Sequence, residues 1–87
     1  MYYVYVLQNV KEVGDVYIGY THNLKERLRG HNSSTNRGYT SGKKWRLVYY
    51  ESYLSESDAR TRERRLKQDG RARYQLMRRI QGSLKVD

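Results

Sequence analysis

The chain has 87 residues, with 18 Lys and Arg against 9 Asp and Glu and a formal charge of +9. Ten tyrosines and one tryptophan stand beside no phenylalanine, proline or cysteine. The length allows one modest core, and the missing cysteine excludes disulfides, thiolate metal sites and thiol catalysis.

Mean hydropathy is −1.06, yet the apolar residues fall in organised runs, which argues for a folded domain over a disordered chain. No run approaches the roughly 20 apolar residues of a membrane span. The apolar start lacks a basic leader and a cleavage site, so it does not read as a signal peptide. One cytoplasmic domain spanning residues 1–87 is expected, without a membrane partner.

Residues 2–7 are rich in β-branched and aromatic side chains and predict a strand. Residues 9–15 are polar, include Gly14 and predict a hairpin loop; residues 16–20 predict the returning strand. Asn23 with Glu26 three residues later forms a capping box, opening a helix that runs to about Asn32. Residues 32–44 are mostly Ser, Thr, Asn, Gly and Lys, a loop and a candidate contact surface for choosing substrate. Residues 45–53 predict a third strand. Ser55 and Asp58 open a second helix that ends near Asp69 and Gly70. Residues 71–81 predict the last helix, with Ala72, Leu76, Met77 and Ile80 on one side. The fold class is therefore α+β: a small three-stranded, mostly antiparallel sheet flanked by three helices, β-β-α-β-α-α.

Residues 60–79 hold nine basic side chains against Glu63 and Asp69, and so carry +7 of the +9. The acids are too few for a self-neutralising helical face. This points to a nucleic-acid partner, contacted through Lys43, Lys44, Arg60, Arg64, Lys67, Arg71 and Arg73.

Strand parity places Tyr3, Tyr5 and Leu7 on one face and Tyr2, Val4 and Val6 on the other. A turn centred near Lys11 puts Tyr5 and Tyr17 on the same face, beside Gly19, where a ligand or backbone can come close. Each tyrosine taken alone is an ordinary amphipathic strand residue. Arg27 and His31 share a helical face at i,i+4. Arginine suits planar phosphate binding and histidine suits proton transfer; singly, they read as a solvated cation and a helix-terminal cap. Glu63 follows Ala59 and precedes Leu66 on the inward stripe of a basic helix. It reads either as an ion pair with Arg60 or Lys67, or as a ligand for a hard divalent ion.

In order, Tyr3-Val4-Tyr5, Tyr17-Ile18-Gly19, Thr21-x-x-Leu24-x-x-Arg27-Leu28-x-x-His31 and Ala59-Arg60-x-x-Glu63 resemble the GIY-YIG nuclease superfamily, most closely its small stand-alone bacterial (URI-type) members. The resemblance covers about residues 1–80. Tyr3 stands where the family has Gly, and the last helix reads Arg73-Tyr74-Gln75-Leu76, without the Asn that many members carry. The resemblance implies metal-dependent hydrolysis of phosphodiester bonds in DNA, with RNA left open. Glu63 would then hold Mg²⁺ or Mn²⁺. Tyr17 would help activate the attacking water, with Tyr5 as its hydrogen-bonding neighbour. Arg27 would neutralise charge on the phosphate, His31 would assist proton transfer, and Gly19 would permit close approach. With no appended recognition domain in the sequence, weak sequence specificity is expected. The alternative from another class is a catalytically inactive nucleic-acid-binding module that uses the basic C-terminal helices and tyrosine stacking. A protein-interaction domain with incidental charge is a third reading.

Overall fold

The computed structural model describes residues 1–33 and 38–84. Its elements are β1 (Tyr2–Asn9), β2 (Val16–Thr21), α1 (Leu24–His31), β3 (Trp45–Tyr53), α2 (Glu56–Gln68) and α3 (Gly70–Arg79), in the order the sequence predicts. The sheet order is β2-β1-β3 and both pairings are antiparallel. Residues 34–37 of the expected contact loop lie outside the described residues.

Local chemistry accounts for the boundaries. The Asn9 side chain accepts from the Lys11 and Glu12 backbone amides and donates to Asp15, which folds the hairpin. Asn23 caps α1 by accepting from the Glu26 amide at 3.1 Å, and its amide returns to the Glu26 carboxylate at 3.3 Å. Ser55 caps α2 through the Asp58 amide. Asp69 caps α3 through the Arg71 and Ala72 amides, so the last helix begins at Gly70, one residue earlier than expected.

The hairpin register is centred on Glu12, one residue beyond the expected turn centre: Tyr5 opposes Gly19 and Tyr17 opposes Leu7. Parity is preserved, so the two tyrosines share a face, but as diagonal neighbours. The β1–β3 pairing slips between Val6 and Leu7. That bulge inserts one extra β3 residue and reverses its facing. Trp45 and Leu47 join the tyrosine face, whereas Tyr49 and Tyr53 pack with the helices on the other.

The sheet therefore has two cores. Val4, Val6 and Ile18 pack against Ala59 and Leu66 of α2, Leu76 of α3 and Ile80 just beyond it. On the reverse face Tyr5, Leu7 and Trp45 pack with Tyr17 and with Leu24 and Leu28 of α1. Among the described residues no helix is long and apolar enough to cross a membrane.

Candidate active site

Tyr5 occupies the central strand and is 2% exposed. Its hydroxyl accepts from Arg27 Nε at 3.3 Å and lies 2.7 Å from His31 Nε2. With Arg27 donating to it, the phenol O–H donates to His31 Nε2. His31 Nδ1 then carries the ring proton and donates to Thr40 Oγ1 at 2.8 Å. Burial pushes the Tyr5 pKa up to about 12, against the pull of Arg27, with Tyr17 and Glu63 adding to the rise. Burial and the Arg27 charge push the His31 pKa down to about 4. Both groups are thus neutral at pH 7. Arg27 is held more firmly protonated than usual, chiefly by its hydrogen bond to Tyr5.

Gly19 makes room for two side chains of the protein itself. A Cβ there would sit 2.5 Å from Tyr5 Cζ and 3.0 Å from Tyr17 Cε2, with the Tyr5 hydroxyl closer still. The group that approaches Gly19 is the protein's own phenol, which crosses β2 to reach Arg27 and His31.

Tyr17 completes the cluster, with ring centroids 6.4 Å from Tyr5 and 5.2 Å from His31. Tyr39 stacks on it at 6.1 Å and 19°. The Tyr39 hydroxyl donates to Asp15 at 2.5 Å. Trp45 closes the wall: its Nε1 donates to the Thr40 carbonyl at 3.1 Å, and Asn32 brackets its backbone with two hydrogen bonds. Thr40 and Tyr39 escaped the sequence reading. They sit in a polar loop with no periodicity that could give either residue a facing.

α2 packs on the far face, yet Lys67 brings its ammonium 5.4 Å from the Tyr17 ring centroid and 3.2 Å from the Glu63 carboxylate. Glu63 is partly buried there, and its charge acts on Tyr5. Of the two expected ion-pair partners, the structure selects Lys67. An open groove of about 880 Å³ runs along α1 past Arg27, lined also by Lys25, Arg29 and His22.

Residues 1–75 match the GIY-YIG catalytic domain. The chain belongs to that family. Among its relatives, a UPF0213 protein of Clostridium perfringens is 38% identical, covering 72% of this chain and 67% of its own. One from Pediococcus acidilactici is 40% identical over 80% of this chain and 72% of its own. One from Halobacterium salinarum is 36% identical over 88% of this chain and 99% of its own. The solution structure of a UPF0213 protein from Bacillus halodurans is 32% identical, with a TM-score of 0.53, over 88% of this chain and 83% of that one. The fold is thus that of the GIY-YIG nuclease-like domain, in small bacterial and archaeal proteins.

Set on this GIY-YIG scaffold, the expected nucleic-acid contacts divide. Lys67 lies beside Tyr17. Lys43 is held by Asp15 at 3.2 Å and covers the Tyr39 ring at 4.0 Å. Arg73 is exposed, and its charge acts on the Tyr39 hydroxyl, whose pKa the Asp15 hydrogen bond raises. Lys44 and Arg64 are exposed. Arg60 instead covers Tyr20 at 4.6 Å and pairs with Glu56. Arg71 lies in a separate groove between α2 and α3.

Among the described residues no group of three or more His, Asp or Glu side chains converges as a metal cage. Among the described residues at the tyrosine cluster, the Asp15 carboxylate is engaged by Tyr39, Asn9 and Lys43, which leaves Glu63, paired with Lys67, as the candidate donor. That fits a hard divalent ion such as Mg²⁺ or Mn²⁺, which binds through one or two carboxylates and keeps several waters.

Proposed function

We propose that this protein is a metal-dependent endonuclease that hydrolyses phosphodiester bonds in DNA. The observation that carries the reading is the convergence of Tyr5, Tyr17, Arg27 and His31 on one face, with a partly buried carboxylate, Glu63, within electrostatic reach. Glu63 is the residue that would hold the divalent ion, which supplies Lewis-acid neutralisation of phosphate charge when bound.

The protein's own groups divide by exposure. Arg27 is exposed and permanently charged, so its guanidinium meets the phosphate and offsets the charge that grows in the transition state. Tyr17, partly exposed beside it, orients the attacking water through its hydroxyl. Tyr5 and His31 are 2% and 4% exposed, so they act from behind. Tyr5 fixes Arg27 through the Nε hydrogen bond, and neutral His31 accepts the hydrogen bond of the Tyr5 hydroxyl, which leaves a phenol lone pair free to accept from Arg27. In this reading His31 acts through Tyr5. Lys67, 3.2 Å from the Glu63 carboxylate, is the cation that a bound metal ion would displace.

The test is cleavage of supercoiled plasmid and of a labelled duplex with Mg²⁺ or Mn²⁺, beside EDTA, Glu63→Gln and Arg27→Ala controls. Cutting that EDTA and Glu63→Gln abolish, and that Arg27→Ala lowers by about 10²–10³, supports the reading. A wild type that binds DNA but cuts it with neither metal refutes it in favour of an inactive binding module.

A further inference from the structure

The +7 block of α2 and α3 is not one surface. α2 turns one flank toward β2, where Arg60 covers Tyr20 and Lys67 approaches Tyr17. Its other flank turns toward β3 and α3, where Arg62 grips Glu51 with contacts of 2.9 and 3.0 Å. Along that second flank runs an open groove of about 460 Å³ between the two helices, with Arg62, Arg65, Arg71 and Arg79 on its walls beside Asp58 and Asp69.

Ion pairing separates the helices further. On α2, Arg60 pairs with Glu56, Arg62 with Glu51 and Lys67 with Glu63, and Arg65 lies 4.0 Å from Asp69. α3 carries Arg71, Arg73, Arg78 and Arg79 and no acid. Among the described residues none of these four arginines enters an ion pair. Asp69 is already engaged by two α3 backbone amides and by Arg65. Of this unpaired charge, Arg73 faces toward Tyr39, whereas Arg71 and Arg79 line the groove. Arg71 and Arg79 stand eight residues apart, about 12 Å along the helix. This is roughly the rise of three to four phosphates on one strand. Tyr74, 62% exposed, stands on the same helix with Arg78 6.0 Å from its ring.

We propose that the α2–α3 groove and the outer side of α3 bind the phosphodiester backbone of a second nucleic-acid duplex, so that one protein molecule bridges two duplexes. This rests on the reading that the tyrosine face takes nucleic acid. The groove and the tyrosine face lie on opposite flanks of α2, which gives each its own direction of approach.

The experiment mixes donor-labelled and acceptor-labelled copies of one short duplex with limiting protein, and reads energy transfer, calorimetric stoichiometry and sedimented mass. Wild type is expected to bind two duplexes per protein copy, with energy transfer between them. Arg71→Glu/Arg79→Glu is expected to bind one duplex without transfer. The milder Arg71→Gln/Arg79→Gln, checked for fold by circular dichroism, is expected to lower the salt slope of the second step by about 2, one per lost phosphate contact. Saturation of wild type at one duplex overturns the proposal. So does equal weakening of both steps by Arg71→Gln/Arg79→Gln, or bridging that sediments with two protein copies. Cleavage is scored separately: two duplexes bound and none cut overturns the nuclease reading alone, and cutting with one duplex bound overturns the bridge alone.

Discussion

Gly19→Ala tests the geometry of the tyrosine cluster most directly. The added methyl meets Tyr5 Cζ at 2.5 Å and Tyr17 Cε2 at 3.0 Å. Tyr17 is partly exposed and can give way, but Tyr5 has no easy retreat: it is buried between the sheet and α1, and its hydroxyl is held by Arg27 and His31. Overpacking of this kind costs roughly 1–3 kcal/mol, and loosening the two hydrogen bonds adds about 1 kcal/mol. Against this, alanine stiffens the unfolded chain by roughly 0.4–1 kcal/mol. The net expectation is a loss of about 2 kcal/mol, or a Tm lower by on the order of 10 °C for a domain of this size. Urea and thermal melts measure it. The control is Tyr5→Leu, which removes the far end of the ring that the methyl would strike. In that background Gly19→Ala is expected to cost less than about 0.5 kcal/mol. If Gly19→Ala leaves stability unchanged, or costs the same in both backgrounds, the packing argument for Gly19 is wrong.

Three further outcomes follow from the buried polar groups. His31 has its pKa lowered to about 4 in the fold, against 6.5 unpaired, so the unfolded chain binds the extra proton between these values. Stability is expected to be complete above pH 6.5 and to fall toward pH 4 by up to about 3 kcal/mol; His31→Gln should flatten that slope, and His31 ring resonances should titrate near pH 4. Thr40→Val, at a residue 3% exposed, leaves the His31 Nδ1 proton without its 2.8 Å acceptor and is expected to cost about 1–3 kcal/mol by urea melt. A ¹⁵N spectrum of the wild-type His31 ring with its proton on Nε2 would contradict the assigned tautomer. Glu51 accepts from Arg62, from Tyr49 at 2.7 Å and from Tyr53 at 2.5 Å; these bonds outweigh burial and lower its pKa below 4.5. Its contribution is present above pH 4.5 and lost as pH falls through the lowered value, and Glu51→Gln is expected to cost about 2 kcal/mol at pH 7 and progressively less in acid.

The sequence by itself determined the element order, because capping residues, alternation and helical spacing are local properties. Asn23 and Ser55 act where their side chains mark the helix starts, and odd-residue parity put Tyr5 and Tyr17 on one face. The ordered motif set was legible for the same reason, since each part sits within one element. What only the tertiary structure decided depends on contacts distant in the chain. The bulge opposite Val6 and Leu7 sends Trp45 to the tyrosine face and Tyr49 to the helical one, and nothing in the local alternation signals that reversal. The pairing of Thr40 with His31, and of Glu51 with Arg62, joins loop to helix and strand to helix. The basic block reads as one charge run along the chain. Winding α2 at 3.6 residues per turn and turning α3 back against it separates that run, with Lys67 beside Tyr17 and Arg71 and Arg79 in the groove on the other flank.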